Sequence, residues 1–112
     1  MKQVIAYIKP SAIELVTEGL RNVDGLTGMS VVDIRGFGRG RGTFPSLINS
    51  QITPFCRNVR LEIMASDAVV WEVVDTIRQQ AWSGDKGEGK IYVLDIVEAV
   101  RIRTNERGEV AV

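Results

Sequence analysis

The sequence predicts an α+β domain in which two helices cover one face of a four-stranded antiparallel sheet. Three observations predict it: short apolar runs typical of strands, two longer segments with apolar residues at helical spacing, and their order along the chain. A chain of 112 residues suits one domain, and 45% hydrophobic with 25% charged residues is the composition of a globular protein. We therefore treat residues 1–112 as a single domain.

The first strand and the first helix occupy the start of the chain. Val4–Ile8 is an apolar run, and Pro10 stops it because proline cannot donate to a strand ladder. Ser11 and Glu14 have the spacing of a capping box, so the helix is predicted to begin at Ser11 and to end at Gly25. Its apolar stripe consists of Ile13, Val16, Leu20 and Val23.

Two further strands flank a long loop. Met29–Phe37 is rich in residues that favour β structure, and Val59–Met64 alternates apolar with charged residues as a half-buried strand does. Between them, Gly38–Arg57 has no period and several glycines and prolines. A loop of roughly 20 residues is uncommon in a compact domain and is usually functional or disordered.

The second helix and the last strand complete the pattern. Ser66 or Asp67 is predicted to cap a helix that runs to a turn at Ser83–Gly89, followed by a strand at Lys90–Val97 and a polar tail at Arg101–Val112. The inner face of this helix is predicted to contain Val70, Val73, Val74, Ile77 and Ala81. The order βαββαβ is the ferredoxin-like plan. Because the strands carry apolar residues on both sides, we expect self-association to cover the second sheet face.

Composition excludes several classes of function. Lys and Arg total 14, as do Asp and Glu, and this zero net charge argues against broad nucleic-acid binding. The chain has no histidine and one cysteine, Cys56, so it offers no Ser–His or Cys–His pair and we expect no enzyme activity and no metal site. One cysteine fits a reducing compartment. No run approaches the ~20 apolar residues of a membrane helix. We expect a cytoplasmic protein that is not embedded in a membrane.

The second glycine-rich stretch, Ser83–Lys90, admits two interpretations. Its glycines permit positive φ and close backbone approach, so that consecutive N–H groups can bind an anion, and Lys90 adds a charge suited to phosphate. The same spacing is equally typical of a flexible turn between a helix and a strand.

The first glycine-rich stretch, Gly36–Gly42, lacks the helix that must follow a dinucleotide fingerprint, so a hinge into the loop is the simpler interpretation. Its opening, Arg35-Gly36-Phe37-Gly38, also matches an RNA-recognition signature. That match fails at Arg39 and Gly40, and the third strand carries no aromatic residue. An RNA-binding module therefore remains a remote alternative.

Two arginines open the tail. Arg101 and Arg103 face the same way if the segment is extended, and two guanidiniums on one side suit phosphate. Alternatively they belong to a solvated tail and pair with Glu98, Glu106 or Glu109.

Taken in order, these pieces resemble the PII signal-transduction family, and the resemblance covers nearly the whole chain. The matching segments are Met1-Lys2, Ile8–Pro10, Gly28-Met29, Gly36–Arg39, Val59–Ile63, Val74–Ile77, Gly84, Gly87–Ile91 and Arg101–Thr104. The resemblance implies a homotrimer that binds ATP or ADP between subunits and takes part in the regulation of nitrogen utilisation.

The resemblance also implies site residues. Gly36, Phe37, Gly38 and Arg39 would line the nucleotide site with Met29 and Glu62 nearby; Gly87, Glu88, Gly89 and Lys90 would hold phosphates; Arg101 and Arg103 would reach them from the neighbouring subunit. Residues 40–57 would form the family's T-loop, which docks on a transporter or a metabolic enzyme. Its partner-binding part would be Gly40, Arg41, Gly42, Thr43, Phe44, Pro45, Ser46, Leu47 and Ile48.

The sequence departs from the family pattern at several positions, and these departures change which ligands and modifications we expect. Gly40 replaces the glutamine that helps hold magnesium with 2-oxoglutarate, and Asn58 replaces a lysine that contacts 2-oxoglutarate, which argues against sensing of that metabolite. The tyrosines lie in predicted strands, which argues against uridylylation, while Ser46 and Ser50 remain in the loop. The pattern resembles a divergent branch, some members of which are encoded beside heavy-metal efflux pumps. A trimeric adaptor or an efflux-associated regulator without nucleotide sensing is the alternative.

Overall fold

A computed structural model of the chain describes residues 1–37, 55–85 and 87–112. The elements are β1 (Lys2–Ile8), α1 (Ile13–Arg21), β2 (Ser30–Gly36), β3 (Cys56–Ala65), α2 (Val70–Ala81) and β4 (Gly89–Asp95). All strand pairs are antiparallel and the strand order is β2-β3-β1-β4. The predicted βαββαβ order and the ferredoxin-like α+β fold are confirmed.

The core lies between the two central strands and the two helices. Alternate residues of β1 and β3 point to the helices, because side chains along a strand alternate between the two faces. Leu61 and Ile63 from β3 are fully buried against Val16 of α1 and Val73 and Ile77 of α2. The helical stripes predicted from the sequence supply the other half of this core.

The opposite sheet face, which we call the open face, is covered by no helix of the described chain. It carries Ile5, Tyr7, Val32, Met64 and Tyr92, which are intermediate or exposed in the single subunit. Tyr7 and Tyr92 meet edge to face with ring centroids 6.1 Å apart. The predicted second apolar face is therefore present.

Both predicted helix caps are wrong. Ser11 lies in a 3-10 turn, Pro10–Ala12, and α1 begins after Ala12, which makes no side-chain capping bond. Before α2, the carbonyl of Ser66 accepts hydrogen bonds from the N–H groups of Val69 and Val70, so a backbone turn replaces the side-chain cap. Asp67 instead binds the N-terminal amine at 2.8 Å.

Three boundaries also differ from expectation. The first helix ends at Arg21, before the predicted stop at Gly25. β3 begins at Cys56, since backbone pairing with Gly36 extends the strand into the predicted loop, so residues 56–57 are not loop. β4 spans Gly89–Asp95, shorter than predicted at its end. The rest of the loop, residues 38–54, lies outside the described residues.

Candidate functional site

The two glycine-rich stretches lie at the same end of the sheet, on its two outer strands, and we call this end the glycine edge: Gly36–Phe37 and Gly87–Lys90. Antiparallel pairing brings the end of β2 and the start of β4 to this edge, on either side of β3 and β1. Gly36 pairs with Cys56 and Gly89 pairs with Ile8. Gly38 and Arg39, predicted to continue the site, lie outside the described residues.

Gly89 is the most constrained position of this edge. Its φ is +112°, and a Cβ placed there would lie 1.6 Å from the carbonyl oxygen of Tyr7. Gly84 and Gly87 also have positive φ, 82° and 78°. The turn before β4 therefore depends on glycine, which fits both a loop that binds an anion and a plain turn between a helix and a strand.

Glu88 uses its carboxylate inside this turn. The carboxylate accepts a hydrogen bond from the backbone N–H of Ser83. Hydrogen bonding to the Ser83 side chain, then to its backbone, holds the pKa of Glu88 below its ordinary value of 4.5, and Lys9 adds a favourable charge. The side chain of Glu88 thus closes the turn, whereas the neighbouring Lys90 is exposed on the open face.

A cavity of about 380 Å³ lies between this turn and the end of α2. Glu88, Gly89 and Lys90 line one side, and Arg78 and Trp82 line the other. Arg78 and Trp82 were not anticipated from the sequence, because only the packing of α2 against the start of β4 brings them there.

Met29 and Glu62 do not lie at the glycine edge. Glu62 pairs with Ser30, at the far end of β2 from Gly36 and thus ~20 Å away at the rise of a strand. Both residues line a second cavity of about 680 Å³, together with Val100 and the last two residues, Ala111 and Val112. Within one subunit the predicted site residues are therefore divided between two ends of the sheet.

Sequence reasoning missed most of the second cavity. Its further lining residues include Gln3, Gly28, Ser30 and Met64. The alternation of β3 predicts that Met64 lies on the same sheet face as Glu62. No local sequence pattern predicts that Ala111 and Val112 reach this cavity.

The tail folds into a compact turn, so the condition under which Arg101 and Arg103 would face the same way, an extended segment, is not met. The N–H of Asn105 donates to the carbonyl of Arg101 at 2.8 Å, and Val100 bridges to Arg107. Arg101 and Arg103 therefore do not face the same way as on a strand. Of the three carboxylates proposed as partners, Glu106 binds Arg101, at 2.9 Å.

The open face also contains the side chain of Arg60. Its guanidinium contacts Glu62 at 2.7 Å, yet its Nε is buried without a hydrogen-bond partner among the described residues. Most buried donors in folded proteins have a partner, so this nitrogen is an exception within the described residues.

Across the described ranges, no group of three His, Cys, Asp or Glu side chains is placed to hold a metal ion. The helices found in those ranges are too short or too polar to cross a bilayer.

Acid is expected to weaken the turn that Glu88 closes. A carboxyl with a lowered folded pKa binds its proton more weakly in the folded state, so its contribution to stability is complete above pH 4.5 and is lost as the pH falls through the lowered value. Glu88→Gln should flatten the dependence of the unfolding free energy on pH below 4.5, measured by urea denaturation at several pH values. Part of the slope should remain, because the N-terminal amine also lowers the pKa of Asp67. A slope equal to that of the wild type would contradict this role.

Comparison with known proteins agrees with this architecture. The sequence profile of the family described as "Nitrogen regulatory protein P-II" matches residues 1–106. The nitrogen regulatory protein P-II of Klebsiella oxytoca is 39% identical over 113 aligned residues, which cover 100% of both chains. That of Rhodospirillum rubrum is 39% identical over 109 residues and covers 96% of each.

A solved structure shares the fold. The crystal structure of Arabidopsis thaliana PII bound to citrate superposes with a TM-score of 0.78 at 34% identity, covering 98% of this chain and 90% of that one. The chain belongs to the nitrogen regulatory protein P-II family.

Proposed function

We propose that this protein is a cytoplasmic homotrimer that binds ATP or ADP in clefts between subunits and regulates a partner protein. The observation that carries the proposal is the division of the site residues between two ends of one sheet. Each cavity is incomplete alone: one has the glycine turn and Lys90, and the other has Met29 and Glu62 near the tail that carries Arg101. A neighbouring subunit would bring one end against the other.

The phosphates would lie at the glycine edge. Backbone N–H groups near Gly87 and Gly89 would face them, and the ammonium of Lys90 would add charge. Arg101 and Arg103 of the neighbouring subunit would approach from the opposite side. Met29 and Glu62 would come with them, because their cavity is also lined by Val100, the residue before Arg101. Gly36 and Phe37 would close the cleft at the end of β2.

The open face supports the association of subunits. Its apolar residues Val32, Met64 and Tyr92 are exposed in a single subunit. Contact between the open faces of several copies would cover these side chains. Sedimentation analysis should then give a trimer.

The partner would bind residues 40–55, the part of the predicted loop that precedes β3, and this loop would respond to the nucleotide. Differential contact with ATP and ADP must drive such a response. The regulated protein would be a membrane transporter, an efflux system or a metabolic enzyme, and the chain itself would catalyse no reaction. Sensing of 2-oxoglutarate with magnesium is disfavoured by Gly40 and by Asn58, which is a buried, uncharged residue of β3.

Calorimetric titration with ATP, ADP and AMP tests the central claim. Heat of binding to the trimer, saturating at one nucleotide per subunit, is the expected result. No binding of any of the three at millimolar concentration would reject nucleotide sensing. A shift in melting temperature with a partner peptide alone would then favour the adaptor function.

Loss of either cation should weaken nucleotide binding. Lys90→Ala or Arg101→Ala each removes a charge-assisted bond to phosphate, and we expect a loss of about 1.5–3 kcal/mol, or roughly 10- to 150-fold in Kd. Arg21→Ala removes an exposed arginine that pairs with Glu18 on α1, so it serves as the control for loss of charge. Unchanged affinity in both variants would remove these residues from the site.

A further inference from the structure

The guanidinium of Arg101 is held by the tail itself. Its Nη1 donates to the Oε1 atom of Glu106 at 2.9 Å, and its Nη2 donates to the carbonyl oxygen of Val110 at 3.1 Å. Both terminal nitrogens are therefore engaged with acceptors of the same subunit. These are the nitrogens with which arginine makes its parallel, bidentate bonds to phosphate.

The tail positions Glu106 for this contact. The backbone N–H of Arg101 donates to the carbonyl of Glu106 at 2.9 Å, which closes the turn. Thr104 donates its hydroxyl to the same Oε1 atom at 2.6 Å. Asn105 completes the turn in the left-handed conformation, with φ of 60°. The carboxylate is thus fixed by local structure on both sides and is not a chance surface partner.

We propose that Glu106 is an affinity-determining residue of the nucleotide site, because its carboxylate occupies Arg101 until a phosphate displaces it. The inference rests on the proposed nucleotide-binding function and adds a residue to which that function assigns no role. Carboxylate and phosphate are anions that compete for the same donors. Binding energy from phosphate is therefore offset by the loss of the bond between Arg101 and Glu106.

The exposure of the pair is consistent with such an exchange. The side chains of Arg101 and Glu106 are 41% and 37% exposed, so each is partly shielded but still accessible to a ligand. An exposed pair contributes little to stability and can be opened at small cost. The same pair would neutralise one positive charge in the cleft when no nucleotide is bound.

Glu106→Gln tests the proposal. The amide keeps the shape of the side chain and an acceptor for Thr104, but removes the charge that competes with phosphate. We expect ATP to bind about 3- to 10-fold more tightly, which is the difference between a charge-assisted and a neutral hydrogen bond. Glu109→Gln is the matched control. It removes the same charge from the same tail, and its carboxylate has no ion pair or hydrogen bond with any residue in the described part of the chain.

Calorimetry on the assembled protein gives the comparison, with ATP as the probe. Tighter binding by Glu106→Gln and not by Glu109→Gln supports the proposal; equal gains in both would reduce it to a general effect of charge and overturn it. Unchanged or weaker binding by Glu106→Gln would also overturn it and would leave nucleotide binding by the wild type intact. If neither the wild type nor the variant binds, the proposed function fails as well, whereas binding by the variant alone would support the inference.

A second variant checks the mechanism without altering charge. Thr104→Val removes the hydroxyl that donates to the carboxylate of Glu106 and accepts from its backbone N–H at 3.3 Å. This should loosen the carboxylate and tighten ATP binding by a smaller factor than Glu106→Gln. An unchanged melting temperature in both variants shows that the tail still folds. Weaker ATP binding by Thr104→Val would mean that the turn positions Arg101 for phosphate, and would overturn competition.

Discussion

Gly89→Ala is expected to destabilise the protein by about 3–5 kcal/mol, because the new methyl group would overlap the backbone of β1 and the residue would be forced into a disfavoured φ. The clash is with the carbonyl of Tyr7, which belongs to a central strand and cannot move aside as a surface side chain can. Relief would require the start of β4 to leave the sheet. Urea denaturation followed by circular dichroism measures the loss.

Gly108→Ala separates the cost of a disfavoured φ from the cost of steric overlap with β1. Gly108 also has a positive φ, +80°, but no atom lies within 4 Å of an added Cβ. Its replacement should therefore cost only the conformational part, about 1–2 kcal/mol. Equal losses at both positions would show that steric overlap with β1 contributes nothing. If Gly89→Ala folds, nucleotide binding should also weaken, since the turn that faces phosphate would be displaced.

Leu61→Ala is expected to cost about 2–5 kcal/mol of unfolding free energy, the range for a large cavity in a packed core. Leu61 is fully buried, and it lies on β3 between paired strands on both sides and under the helices. The neighbouring backbone is fixed by two ladders, so collapse of the cavity should be limited. We therefore expect a loss of unfolding free energy in the upper part of that range.

Leu15→Ala provides the comparison on the same fold. Leu15 lies on α1 and is 60% exposed, so removal of its side chain should change stability by less than about 1 kcal/mol. Both variants are measured by urea denaturation at one protein concentration, because subunit association adds to apparent stability. A loss at Leu15 as large as that at Leu61 would contradict the placement of the core.

The sequence predicts the elements of this fold well because their signals are local. The alternation of β3 and the apolar stripes of both helices follow from strand and helix periods, and each places buried residues correctly. The helix starts are predicted less well. At Ser11 and Ser66 the backbone forms turns that satisfy the first helical N–H groups, and nothing in the spacing distinguishes a side-chain cap from a turn of this kind.

The candidate site shows the same contrast between features that local sequence predicts and features that depend on the folded chain. Glycine at position 89 is predictable as a turn residue, but its contact with Tyr7 depends on strand pairing across most of the chain. The sequence predicts Arg101 as a candidate phosphate ligand, whereas its hydrogen bond to Glu106 depends on a turn with Asn105 in the left-handed conformation. Met29 and Glu62 line a cavity far from Gly36, because Glu62 pairs with the opposite end of β2. The order of motifs along the sequence does not predict that distance.

The separation of the two cavities along one sheet has a consequence for stoichiometry. A subunit whose ends serve different clefts takes part in two of them, so a closed ring holds as many clefts as subunits. A substitution at one end of a subunit would then impair only one of the two clefts to which that subunit contributes. In mixed rings, a subunit defective at Lys90 and one defective at Arg101 would together form some clefts with both defects and others with neither. Nucleotide binding that is weakened in each pure assembly would therefore partly return on mixing.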